Sequence, residues 1–213
     1  MGTTALWLIL AVTVALVVVG SCLFKRRFTV KEIALIGVMA ALSFVAFTFF
    51  KIPFMGSYFH LGNTFVALAA LLLDGVCGGL AGAVGLSLGD IISGSPDYAV
   101  TTFLLKFIIG VVCGITAHRL FRLKEKKPGS KGYLPAVTMS ALSGLLVNVV
   151  TDPLFGYFRR VYLLGQEYTI AQVMAKITAG VTLVNSLLST LCAVLLYLAL
   201  RPALERSGLL DKK

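Results

Sequence analysis

The sequence predicts an all-α bundle of membrane-spanning helices, and three observations predict it. Apolar side chains make up 58% of the chain and charged ones only 13%, with mean hydropathy +0.95, whereas soluble domains carry about 25% charged residues. The apolar residues come in runs of the length that crosses a hydrocarbon core. Lysines and arginines collect in the breaks between those runs, and mostly in alternate breaks.

Seven runs qualify, over residues 4–24, 31–50, 60–73, 76–93, 101–121, 134–157 and 171–200. The first ends in "VGSC", a loose likeness to a lipoprotein cleavage box. It has no basic residue before it and "KRR" after it, the reverse of a signal peptide's charge order, so it is expected to remain as a helix. The third run is short and meets the fourth at "LLLDGVCGG", where Asp74-Gly75 reads as a tight turn. The other breaks are "KRRFTVKE", "KIPFMGSYFH", "SGSPDYAV", "RLKEKKPGSKGY" and "RRVYLLGQEYT". The chain divides into an N-terminal helix with a basic linker (1–30), a membrane domain (31–206) and a tail (207–213).

A net charge of +10 raises nucleic-acid binding as a possibility, but the basic residues form no single stripe. They order the topology instead. With 25–31 placed in the cytoplasm, that side receives fourteen lysines and arginines, from Lys25 to Lys31, Arg119 to Lys131 and Arg201 to Lys213. The other side receives only Lys51, Arg159 and Arg160. The positive-inside rule then sets the N-terminus outside and the C-terminus inside. Cys22, Cys77, Cys113 and Cys192 sit in apolar runs without metal-ligand spacing, and read as small packing residues. No metal and no cofactor are expected.

Against that background Lys106, inside "VTTFLLKFIIGVVCGITAH", is anomalous, because a charge at a helix centre costs roughly 2.5–3.5 kcal/mol on insertion scales. It lies about five residues, or about 8 Å, below the outer end of its helix. Lys176 is at a similar depth, with Asp90 and Asp152 near the outer ends of their helices. These four charges from four helices share one level and sum to zero. Tyr98, Thr102, Lys106, Gly110, Gly114 and His118 recur every four residues, as do Ser140, Gly144, Asn148, Asp152 and Gly156. In the last run Lys176 and Gly180 are four apart, with Thr178, Thr182, Asn185 and Ser189 nearby. Small residues at this spacing bring helices close, and polar ones bond across. The lower glycines are expected to pack and the upper polar groups to surround a space. Two ion pairs, Asp90–Lys106 and Asp152–Lys176, are the structural alternative. Taken together with Asn148 and Asn185, the set reads as a site for a polar ligand, with His60 reaching it from the rim.

The fourth run holds small-xxx-small pairs (Gly75/Gly79, Gly78/Gly82, Gly85/Gly89) that fit close helix packing. Its "GLSLG" matches G-x-S-x-G only formally, since a nucleophile elbow needs a strand-to-helix turn, a histidine and an acid. His60 and His118 are the only histidines and lie near opposite faces. A catalytic role is therefore not expected. No phosphate-binding G-x-x-x-x-G-K-[ST] loop is present, and no internal duplication marks an inverted-repeat transporter. Energy for moving a solute would come from a partner.

The stretch "HLGNTFVALAALLLDGVCGGLAGAVGLSLGDIISGSPDYAVTTFLLKFIIGVVCG" has a glycine-rich helix ending in Gly-Asp, a short loop with Pro and Tyr, then T-x-x-x-K. From about residue 31 to 200 the chain resembles the substrate-binding (S) components of energy-coupling factor (ECF) vitamin transporters, in particular the subgroup associated with riboflavin, pyridoxine and hydroxymethylpyrimidine uptake. The resemblance implies a six-helix core, to which residues 4–24 add one helix, in a bacterial cell membrane. It implies capture of a small vitamin near the outer face and docking on a membrane coupling subunit bearing two cytoplasmic ATPases. Site residues in the family come from the outer halves of the later helices and the first outer loop. Asp90, Lys106, Asn148, Asp152, Lys176 and Asn185 match that placement by position, with Tyr98, Thr102 and His60 beside them. The family's docking face has small residues at four-residue spacing on its first core helix, matched here by Gly37 and Ala41 with Ala34 adjacent. The rival to such a subunit is a stand-alone ion-coupled secondary transporter that uses the same charges as a relay.

Overall fold

The computed structural model describes residue 20 and residues 26–210. The run expected to span at 4–24 lies, Gly20 apart, outside the described residues, and so do Trp7 and Cys22. Among the described residues the fold is an all-α bundle of six helices with one small hairpin, and five of the helices are long and apolar enough to cross a membrane.

Helix α1 (Val30–Thr48) starts at a capping box: the Thr29 hydroxyl accepts from the Glu32 N–H, and the Glu32 carboxylate accepts from the Thr29 N–H. The "KIPFMGSYFH" break is an antiparallel hairpin of β1 (Ile52–Phe54) and β2 (Ser57–Phe59). Met55 and Gly56 turn it, both with positive φ (45° and 76°), which the right-handed twist of a two-residue hairpin favours.

Helix α2 (Gly62–Leu72) is as short as its run suggests. The run at 60–73 makes eleven residues of helix, about 16 Å against a hydrocarbon core of about 30 Å, and carries the chain from the hairpin to Asp74 beside Arg26. It packs against all five other helices, and every residue but Phe65 is buried. A helix apolar on all sides is stable only where other helices surround it. At its foot Asp74 caps the next helix rather than only turning the chain. Its Oδ1 accepts from the N–H groups of Val76 (2.9 Å) and Cys77 (3.0 Å). Asp74 also binds the Arg26 guanidinium, which reaches Glu32 at 2.8 Å and lies 3.3 Å from Cys77 Sγ.

Helices α3 (Gly75–Ile92) and α4 (Pro96–Gly114, extended by a π-helical turn through Leu120) are the most intimate pair. A Cβ on Gly110 would lie 2.0 Å from the Gly79 nitrogen, and one on Gly114 2.2 Å from Gly75 Cα. The two backbones touch, and only glycine permits it. Gly144 of α5 (Tyr133–Phe158, extended by a second π-helical turn through Leu163) does the same against Ile109 of α4. Helix α6 (Tyr168–Arg206) is 39 residues long and packs along α5.

Alternation of the long helices defines two ends. The hairpin end gathers residues 49–61, 93–95 and 164–167; the opposite end gathers 26–29, 73–74 and 121–132. At the opposite end Arg201 of α6 donates to the Leu123 carbonyl, the Tyr133 and Tyr197 hydroxyls and Glu205. His118 Nε2 lies 2.9 Å from the Ala70 carbonyl oxygen there, far from the hairpin.

Candidate functional site

A cavity of about 210 Å³ opens at the hairpin end, beneath β2 and between the upper halves of α3, α4, α5 and α6, with the first turn of α2 at its edge. Its position follows from the packing: at the opposite end glycines bring the helices into backbone contact, and at the hairpin end polar side chains hold them apart.

Helix α4 supplies Tyr98, Thr102 and Lys106, and the four-residue spacing does put all three on the cavity. Lys106 is 6% exposed and its Nζ donates to Asn148 Oδ1 of α5 at 3.2 Å. Asp90, at the end of α3, is 8% exposed and accepts from the Thr102 hydroxyl. Asp152 of α5 accepts from the Tyr98 hydroxyl at 2.8 Å and from Thr182 of α6 at 3.2 Å. Each carboxylate is thus held by neutral hydroxyls. Neither ion pair of the structural alternative forms: the ion pairs among the described residues join Arg26 to Glu32 and Asp74, Arg159 to Asp97, and Arg201 to Glu205. A single neutral acceptor recovers only part of what burying the Lys106 ammonium costs.

Lys176 is a correction. It is exposed and lies off the cavity, and Gly180 has nothing within 4 Å of an added Cβ. The cavity face of α6 carries Thr178, Thr182 and Asn185 instead. At 3.6 residues per turn, Lys176 lies about 200° around the helix from Thr178. Shared depth did not imply a shared face.

Asn185 and His60 line the cavity through the hairpin. The Asn185 side chain accepts from the His60 backbone N–H (3.2 Å) and donates to the Tyr58 carbonyl (2.9 Å), which ties β2 to α6. His60 Nδ1 accepts from the Gly62 N–H at 3.2 Å, and its ring meets Phe47 edge-on, centroids 4.9 Å apart. Burial, and next the nearby Lys106 charge, push the His60 imidazole down to a pKa of about 3, so it is neutral at physiological pH. On the other side of the hairpin the Lys51 ammonium sits over the Phe47 and Tyr58 rings (5.0 and 4.8 Å) and bonds the Ser93 hydroxyl at 2.5 Å.

Several lining residues escaped the sequence reading, among them Arg160, Phe47 and Asn63. Arg160 figured there only as a topology charge, and Phe47 sat in an apolar run. Asn63 is the one amide in "GNTFVALAALL", a signal visible in the sequence once that helix is known to be buried all round. A larger hollow, about 600 Å³, lies at the opposite end between α1 and α6. Its buried cation, Arg201, is already bonded by two tyrosines, a carbonyl and Glu205.

The docking residues expected on α1 are exposed. Ala34, Gly37 and Ala41 face away from the bundle, and a Cβ on Gly37 would meet nothing within 4 Å.

A Pyrococcus woesei protein described as "Uncharacterized protein in gap 3'region" is 38% identical over 63 residues, 30% of this chain and 42% of the relative. The match thus spans about two fifths of that curated relative's length. No solved structure matches the chain. The model of the family described as "ECF-type riboflavin transporter, S component" matches residues 27–202, from just after Arg26 to within the last turns of α6. The chain therefore belongs to the S components of ECF-type transporters.

Proposed function

We propose that this subunit captures a single-ring vitamin or vitamin precursor, pyridoxine- or hydroxymethylpyrimidine-like, in the hairpin-end cavity. Its cargo then passes through a membrane coupling subunit driven by two cytoplasmic ATPases. The observation that carries the reading is Lys106: a buried ammonium with only an amide acceptor, facing a cavity that two carboxylates also line. Lys106 donates to ligand oxygens or ring nitrogens, Asp90 and Asp152 accept from hydroxyl or amino groups, and the hairpin covers the site.

Size supports the smaller ligands. Pockets for drug-sized ligands run to about 300–1,000 Å³, and about 210 Å³ leaves little room for a tricyclic flavin with its sugar-alcohol chain. The basic loop 121–132 at the opposite end supports placing the hairpin end outside a bacterial cell membrane and the C-terminus in the cytoplasm. The exposed Ala34–Gly37–Ala41 face of α1 supports docking of the coupling subunit there.

The test is mass spectrometry of small molecules retained by protein purified in mild detergent from cells fed a vitamin mixture. A stoichiometric single-ring vitamin is the expected result. Retention of riboflavin would overturn the size argument. Lipid alone, with uptake that an uncoupler abolishes and that needs no partner, would favour an ion-coupled transporter instead.

A further inference from the structure

Three asparagines reach the hairpin-end cavity, and their amides are not alike. Asn148 accepts from Lys106, and Asn185 uses both its groups to hold the hairpin. Asn63, in the first turn of α2, is 1% exposed, lines the cavity, and its Oδ1 has no hydrogen-bond partner. A buried carbonyl oxygen left unpaired is costly, and nothing in the packing of α2 requires an amide there, since its other buried positions are almost all apolar.

We infer that Asn63 reads the ligand. This rests on the capture reading above and deepens it by naming an edge of the substrate. A carboxamide presents an acceptor and a donor side by side. Its complement is a planar nitrogen heterocycle with a donor and an acceptor adjacent on one edge, such as an amino group beside an unprotonated ring nitrogen. Carboxamides pair with adenine's amino and ring-nitrogen edge in this way. Turning the amide over exchanges the two groups and keeps the pairing available. The apolar walls Phe47 and Leu86 belong to the same cavity and suit the faces of a ring. A pyridine whose hydroxyls are set apart from its ring nitrogen offers no such edge, so the class favoured is the aminopyrimidine.

The test is a double-mutant cycle between protein and ligand. Affinities of detergent-purified wild type and Asn63→Leu are measured for 4-amino-5-hydroxymethyl-2-methylpyrimidine, for the same ring lacking the amino group, and for pyridoxine. In the wild type, loss of the amino group is expected to weaken binding roughly ten- to a hundredfold. In Asn63→Leu the two pyrimidines should bind alike. Asn63→Ser provides the same ratio should the leucine variant fail to fold. An amino-to-desamino ratio unchanged by either substitution would overturn the role of Asn63 while leaving vitamin capture intact. Tighter wild-type binding of pyridoxine than of the aminopyrimidine would overturn the edge. Binding of none of the three would overturn the single-ring capture reading itself.

Discussion

Lys106 Nζ lies 3.2 Å from Asn148 Oδ1, and no carboxylate holds it in an ion pair among the described residues. A carboxylate partner would neutralise the ammonium; an amide leaves its charge to act on whatever enters the cavity. Lys106→Met, which keeps the length and removes the charge, should weaken ligand binding about 10- to 100-fold, the worth of a charged hydrogen bond. Thermal stability should change little, because no buried carboxylate loses a partner and relief of a buried charge offsets the unpairing of Asn148 Oδ1. Calorimetric titration beside a melting curve checks both, and a lower melting temperature with unchanged affinity would make Lys106 structural.

Asn185 is a hairpin anchor. Asn185→Leu removes two bonds to the backbone of β2 and His60, worth about 1–3 kcal/mol together. Hydrogen exchange over residues 52–60 should speed up while the long helices keep their protection. Bound ligand should also leave faster. Unchanged exchange there would mean that Lys51 and the aromatic contacts suffice to hold the hairpin.

Two glycines on different helices should behave oppositely. Gly110→Ala puts a Cβ 2.0 Å from the Gly79 nitrogen, so backbones must move, at a cost of about 1–3 kcal/mol or more. Gly37→Leu meets open space and should leave melting temperature and ligand affinity as they are. It should reduce recovery of the coupling subunit in co-purification. Full recovery would remove the α1 face from the docking surface.

The pH dependence turns on His60, whose folded pKa of about 3 lies below its ordinary 6.5. The folded state favours the neutral ring, so its contribution is complete above about pH 6.5 and declines as the pH falls towards 3. At pH 5 the loss should be about 1–2 kcal/mol. Melting curves at pH 7.5 and 5.0 should differ more for the wild type than for His60→Asn, whose side-chain oxygen still accepts from Gly62. Equal differences would place the effect on other groups.

Much of the site was legible because spacing on a helix is a geometric fact. Residues four apart share a face, so Tyr98, Thr102 and Lys106 could be assigned to one surface without coordinates, and so could Asn148 and Asp152. Lys176 went astray because its depth was read without its rotation. Asn63 was passed over because an isolated amide in an apolar run looks incidental until the helix around it is seen to be buried on every side.

The sequence by itself determined the class, the helix runs and the polar and small stripes, since all three depend on composition and on periods local to one helix. It determined the family resemblance from about 31 to 200, which the match over 27–202 supports. Only the tertiary structure decided that α2 is a short central post surrounded by the other helices, and that the aspartates are held by hydroxyls. It alone showed that Asn185 ties down the hairpin and that Lys176 points away. Each of these depends on which faces of separate helices meet. That choice is made by backbone contacts such as Gly79 on Gly110, where removing one Cβ sets the rotation and depth of a whole helix against its neighbour.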